Sequence, residues 1–471
     1  MTYPAPPPKH GLASPGVSDY VRNDLLKGYS RSISDFYLHL YYSMGTAYQN
    51  GNHGKVPISL KYRRNHFRYS VDKGETFKLS NSGLLIITGY DKGKKQSRKY
   101  SIPENILIHV VKRYYEDLKK DRKVKTKPRS SAKVKMKTSM ENVPKVKPSP
   151  LVKQAIHSIK GGIMNHAEAL RNIGDQLEMV DSMPNQKKFI CKCINDIQNL
   201  VKASENGIIV DGILRYKQDY SPKSTGRIFE SGGVQSLSKG SKKAAMTGIE
   251  NVYNYDIRSS QIAALCQEAE KVGIDTSVLR DYMEDPNAKI RYAKACGFVT
   301  PDGKVHSTVW KKCLMSQVFG SSMAKFYGKP FKIIQEFDAM NVLTLHKQFE
   351  EVVTPFKQLI NEWHRKLKEY LSSNAENHKN ERFFTNSAGM KINLDKDEIM
   401  SSKKKLSAFI LQGLESGYIH HLTTMADEYG YRVLSNEHDG LVTIGEIPEK
   451  AIQIAKERSG FELALLEIKK F

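Results

Sequence analysis

Apolar and polar positions change period several times along the chain. Over residues 18–48 the apolar residues recur at helical spacing (YSRSISDFYLHLYYSMGTAY), which predicts helix. Residues 56–102 carry shorter runs, FKLSN and LLIITGY, broken by Asp-Lys-Gly turns, and predict strands. Residues 151–204 return to a period near 3.6 (IHSIKGGIMNHAEALRNI; FICKCINDIQNLV) and predict two or three amphipathic helices. From about 208 onward strand-like and helix-like runs alternate irregularly, without an internal repeat. Two stretches show no period. The first sixteen residues are rich in Pro, Gly and Ala and read as disordered. Residues 119–150 hold 12 basic residues, 2 acidic ones, 4 prolines and no aromatic. They predict a flexible cationic linker and mark the domain boundary. A phosphate-binding tether and a solvated spacer are both open readings of it.

Charge narrows the class. Lys plus Arg is 74 against 50 Asp plus Glu, a formal charge of +24 over 471 residues. A chain this basic expects an acidic partner, nucleic acid before an anionic membrane. No apolar run approaches the roughly 20 residues of a membrane-spanning helix, and MTYPAPPPKHGLASPG has no apolar signal core. The length suits two or three domains. The 5 cysteines, Cys191, Cys193, Cys266, Cys296 and Cys313, form no C-x-x-C pair. That argues against a disulfide framework and a zinc module, and makes a reducing cytosol the expected setting. Cys191 and Cys193 lie in a helical run and read as packing.

Candidate chemistry lies in three segments. In NVYNYDIRSSQIAALCQEAEKVG a strand-like VYNYDI precedes a helical run with Ser259 or Ser260 as N-cap, so Asp256 sits where a strand ends and a helix begins. In YRVLSNEHDGLVTIG two β-like runs flank Asp439-Gly440, a hairpin signal, which puts Asp439 at or beside a tight turn. Singly these are a capping residue and a turn residue. Facing each other on adjacent strands, they suit two Mg²⁺ ions, one to activate an attacking 3′-hydroxyl and one to neutralise a triphosphate. In HSTVWKKCLMSQVFGSSM, Lys311, Met315 and Phe319 fall at i, i+4 and i+8, one stripe of a helix. A cation, an apolar contact and a ring on one face can grip a nucleotide. Alone, the same stripe reads as a core helix with a solvated lysine.

Taken in order, five blocks between about 220 and 445 resemble the family A polymerases, the group of bacterial DNA polymerase I and the phage-type single-subunit RNA polymerases. They are Thr225-Gly226-Arg227 with Gln235-Ser236-Leu237, Asp256 through Ile262, Lys311-x-x-x-Met315-x-x-x-Phe319-Gly320, Leu411-Gln412-Gly413, and His438-Asp439. The resemblance implies an α+β right hand. Residues 1–118 would be a small basic domain, 119–150 the linker and 151–215 thumb-like helices. Residues 216–270 with 376–471 would be the palm, and 271–375 the fingers. It implies Asp256 and Asp439 as ligands of two Mg²⁺ ions, with Mn²⁺ able to substitute, and Lys311 as the triphosphate cation. Met315, Phe319, Gly320, Gln261 and Arg258 would line the nucleotide site. Thr225, Arg227, Gln235, Gln412 and His438 would hold the primer–template. The implied partners are primer–template nucleic acid and nucleoside triphosphates, with no membrane.

The chain also departs from the family pattern. Ser236 stands where an Asn is expected, Ser307 where motif B begins with Arg, and Gly440 where a Glu often follows His-Asp. Arg258, Lys304, His306 or Lys312 are candidates to replace the Arg, and Glu437 is a candidate for the Glu. Ala263 replaces the Glu that excludes ribose in the DNA polymerases. The spacing from Asp256 to Ser260, and Met315, side with the RNA polymerases. Phe319, the spacings of 55 residues from Asp256 to Lys311 and 128 from Lys311 to Asp439, and the TGR and LQG blocks side with DNA synthesis. DNA polymerase is the leading expectation. RNA polymerase or primase, mixed sugar use, and an inactive nucleic-acid-binding module are the alternatives. No Asp-x-Glu occurs in residues 1–200, so proofreading is not expected. KYRRNHFRYSV in the N-terminal segment suits nucleic-acid binding or an ordinary basic surface. A small polymerase without an exonuclease suggests a phage, plasmid or other mobile element.

Overall fold

The computed structural model describes residues 15–49, 54–58, 67, 74–89, 98–119, 146–182, 186–378, 380–396 and 399–469. The Pro-rich N-terminus as far as residue 14, most of the cationic linker and most of KYRRNHFRYSV lie outside the described residues. The chain forms two compact units, both mixed helix and strand. The first comprises residues 1–143, 163–217 and 231–248, and the second 144–162, 218–230 and 249–471. Among the described residues no helix is long and apolar enough to cross a membrane.

In the first unit the helix Arg31–Gln49 packs on Gln186–Glu205. Phe36, Tyr37 and Tyr41 are fully buried there, and Phe36 meets Tyr100 edge to face at 5.5 Å. Cys191 and Cys193 face this core, and burial pushes both thiols up to about 12, so they are packing groups. Two small three-stranded sheets flank the helices. One has Lys99–Ser101 at its centre and the other Ile213–Tyr216. FKLSN, expected as a strand, lies in the helix Glu75–Asn81. Its buried residues, Thr76 and Leu79, are three apart, the helical period, and Glu75 favours the helix N-terminus. The stretch 18–48 is likewise two helical pieces with a break at residues 26–30. The region 151–204 is helical as expected but divided between the units: Pro150–Ser158 belongs to the second, and His166–Glu178 and Gln186–Glu205 to the first, with a short strand Gly162–Asn165 before them.

The second unit is built on an antiparallel sheet of four strands: β1 (Val252–Ile257), β2 (Arg432–Asn436), β3 (Gly440–Ile444) and β4 (Leu466–Lys469), in the order β2-β3-β1-β4. Tyr255 and Ile257 of β1 are buried at alternate positions, and the Tyr255 hydroxyl accepts the Ile447 N–H at 2.9 Å. After β1 the chain turns through Ser259 into α1 (Ser260–Lys271). Ser259 is the N-cap, in the left-handed conformation (φ 48°), and its side chain makes no capping bond. The helices that follow include α2 (Ala288–Ala295), α3 (Ser307–Val318) and α4 (Val342–Ser373). Trp310 of α3 is their keystone. It stacks on Tyr292 of α2 at 4.9 Å and meets Phe349 and Phe356 of α4 edge on. Then comes α5 (Gly413–Met425), entered through a π-helical turn at Ala408–Gln412, and a further helix, Glu449–Ser459, follows β3.

Two buried histidines make this unit sensitive to acid. Burial holds the imidazoles of His364 and His420 down at about 4. The His420 Nε2–H donates to the Gly226 carbonyl at 2.8 Å, and His364 Nε2 lies 2.7 Å from the Ser407 hydroxyl. An unfolded chain protonates its histidines near pH 6.5, at about the unperturbed value. The stability these two contribute is therefore complete above about 6.5 and is lost as pH falls toward about 4. The thermal midpoint is expected to drop across that window, and His420→Gln to flatten the drop.

Candidate active site

The sheet places Asp256 and Asp439 on neighbouring backbones. Asp256 is opposite Gly440 in the β1–β3 register, and the Ile257 N–H donates to the Asp439 carbonyl at 2.7 Å. Asp439 lies in the connection between β2 and β3, Glu437-His438-Asp439. Here the left-handed residue is His438 (φ 72°), not the glycine that the Asp-Gly signal suggests. The strained histidine is held by its N–H to Asn436 Oδ1 (3.1 Å), and its ring lies 4.3 Å from that of Phe229. Gly440 must remain without a side chain, because a Cβ there would overlap the Tyr255 carbonyl oxygen. A glutamate at this position, which the resemblance leads one to expect, is thus sterically excluded. Glu437, its candidate substitute, takes the Ser435 hydroxyl at 2.7 Å.

Across β1 on the other side, Asp256 is opposite Glu467 of β4, and the Lys469 ammonium pairs with the Asp256 carboxylate. Arg258 lies 3.6 Å from Glu467. Burial, then the charges of Lys311 and Arg258, lower the pKa of Lys289 on α2. The Tyr292–Trp310 stack explains the meeting of cations, since Lys289 is three residues before Tyr292 and Lys311 follows Trp310. Lys311 is exposed, and Met315 and Phe319 are half-buried along the same stripe. Trp310, Cys313, Leu314 and Val318 of the same helix are buried. Gly320 follows with positive φ.

On the other flank, Thr225-Gly226-Arg227 is pinned at each residue. Asn386 Nδ2 donates to the Thr225 carbonyl at 3.2 Å, His420 bonds to Gly226, and Arg227 Nε donates to Glu415 Oε1 at 2.9 Å. Glu415 also accepts Ser260 Oγ and Gln261 Nε2, each at 2.5 Å. Gln412, half-buried, opens the helix that carries it. Beside His438, Phe229 is exposed and Lys223 lies over its ring at 5.4 Å. Gln235, expected beside Arg227, belongs to the first unit.

Sequence reasoning missed Lys289, Phe229, Glu467, Lys469 and Glu415. Only Glu415 carries a local signal, an ionisable side chain in the otherwise small and apolar run LQGLESGYI. Among the described residues no group of three or more His, Cys, Asp or Glu is arranged to hold a metal ion.

No protein-family model and no curated protein matches the chain. Among solved structures, it is similar to the POL domain of Pol1 from M. smegmatis in complex with DNA primer-template and dNTP. The TM-score is 0.46 and the identity 10% over 68% of each chain.

Proposed function

We propose that the chain is a template-directed nucleotidyltransferase that extends a nucleic-acid primer, DNA in the leading reading, without proofreading. One observation carries the proposal. The segments at 225–227, 260–261 and 412–415 and the hairpin at 439, far apart in sequence, meet beside the end of one antiparallel strand that carries Asp256. In this reading residues 216–270 and 376–471 are the palm, 271–375 the fingers and 151–215 the thumb.

Asp256 and Asp439 would hold two Mg²⁺ ions, or Mn²⁺ in their place. The donor set fits, since Mg²⁺ is commonly bound by one or two carboxylates together with substrate phosphates and water. The pairing of Asp256 with the Lys469 ammonium further supports a cation position there. Bound there, the metal supplies Lewis-acid activation of a 3′-hydroxyl and charge neutralisation on the triphosphate. The chain's own residues do the rest. Lys311, with Lys289 and Arg258, neutralises the triphosphate, a cluster that takes the place of the Arg missing at Ser307. Met315 and Phe319 form the wall against sugar and base. Arg227, Gln412 and His438 hold the primer end, and Phe229 offers a base-stacking ring beside them.

The test is extension of primed and unprimed templates, each with dNTPs or rNTPs. Primed dNTP incorporation is expected. Unprimed rNTP use would mark an RNA polymerase or primase, and binding with no incorporation under any condition would mark a binding module. In the same assay Lys311→Ala is expected to raise the KM for nucleotide by about 10- to 100-fold, about 1.4–2.8 kcal/mol. Its kcat should change less.

A further inference from the structure

Glu415 is fully buried, yet four N–H or O–H groups point at its two oxygens. Burial and the nearby Asp439 carboxylate push its pKa up, and Arg227 and Ser260 oppose that shift. With four donors aimed at them, the two oxygens act as acceptors, which fixes the orientation of each partner. Arg227 spends its Nε–H and one Nη2–H on Oε1 and keeps three of its five N–H groups for other acceptors. Gln261 must turn its amide nitrogen toward Oε2, so its Oε1 turns away. That oxygen is buried and meets no donor among the described residues. A buried acceptor without a donor is costly unless a ligand supplies one.

Given the nucleotidyltransferase reading, on which this inference rests, the missing donor belongs to a nucleotide. Once a base is paired, the sugar hydroxyl is the donor that every nucleotide shares. We propose that Glu415 is a positioning residue that orients Gln261 so that its Oε1 accepts a hydrogen bond from a sugar hydroxyl of the incoming nucleotide. The same carboxylate aims Arg227 at the primer strand. The chain thereby reads the sugar from the Gln of its motif A, through a glutamate on another helix, although Ala263 carries no gate.

The experiment compares kcat/KM for deoxy- against dideoxynucleotides, which probes the 3′-hydroxyl, and for ribo- against deoxynucleotides, which probes the 2′-hydroxyl. Wild-type chain, Glu415→Gln, Gln261→Ala and the double variant are measured on one primed template. One of the two ratios is expected to fall about tenfold toward the hydroxyl-free nucleotide in both single variants. The double variant should fall no further. A Glu415 that served only to support the fold would slow all nucleotides alike and leave both ratios at their wild-type values, and that result overturns the proposal. Should Glu415→Gln fail to fold, Glu415→Asp carries the same comparison, and Gln261→Ala leaves the carboxylate with Arg227 and Ser260. If the wild-type chain incorporates no nucleotide at all, the polymerase reading fails separately. Equilibrium binding of the same nucleotides to wild type and variants then decides the role of Glu415 by the same ratios.

Discussion

Asp256→Ala is expected to lower primer extension by about a thousandfold or more, which corresponds to about 4 kcal/mol of activation free energy. Asp439→Ala should do the same, because in the proposed reading the two carboxylates form one donor set and the loss of either leaves it incomplete. Primer–template affinity should change little, since the contacts assigned to it come from Arg227, Gln412 and His438. The measurements are single-turnover extension and equilibrium binding on the same preparations. Near-wild-type extension by either variant would falsify the assignment of these residues. Asp256→Ala also frees the Lys469 ammonium from its partner. A folding control by circular dichroism therefore belongs with it, and Asp256→Asn keeps the side-chain volume while removing the charge.

Gly440→Ala should damage both stability and activity. A Cβ at 440 would overlap the Tyr255 carbonyl oxygen, which is backbone and cannot rotate away. β1 and β3 would have to part where Gly440 opposes Asp256. Overpacking of this kind costs about 1–3 kcal/mol, and a backbone contact belongs at the upper end. Asp256 lies on one of these strands and Asp439 immediately precedes the other, so extension should fall well beyond what the lost stability explains. Thermal melting and extension at a temperature where the variant remains folded separate the two effects. Extension at the wild-type rate by a folded Gly440→Ala chain would show that the spacing of β1 and β3 is irrelevant to the chemistry.

Much of the second unit was legible because local signals agreed there. VYNYDI reads as a strand and is one, the run after Ser259 is helical, and Lys311 and Met315 lie one turn apart on a helix that Phe319 caps. The hairpin at Asp439 was placed correctly, although His438 and not the glycine takes the positive φ. FKLSN failed because five residues hold too little of a period to separate strand from helix, and its burial follows tertiary contacts. The network around Glu415 was illegible for a different reason. Its members sit at 227, 260, 261 and 415, and no local pattern can express a contact across 154 to 188 residues. The Lys289, Lys311 and Arg258 cluster is of the same kind. Each is an ordinary surface cation until Tyr292 stacks on Trp310.

The packing of α5 bears on how distant relatives of this chain could be recognised. Gly413 and Gly417 lie four apart on one face of that helix. A Cβ on the first would overlap the Asn386 side chain, and one on the second would stand 2.7 Å from the Ser387 carbonyl oxygen. Helix and loop therefore pack closely at both glycines. This contact acts as a mechanical stop that sets the height of residues 412 and 415 above the sheet. Substitution at either glycine moves that stop. Descendants of a common ancestor that keep this geometry should share G-x-E-x-G after the Gln even where every other block has drifted.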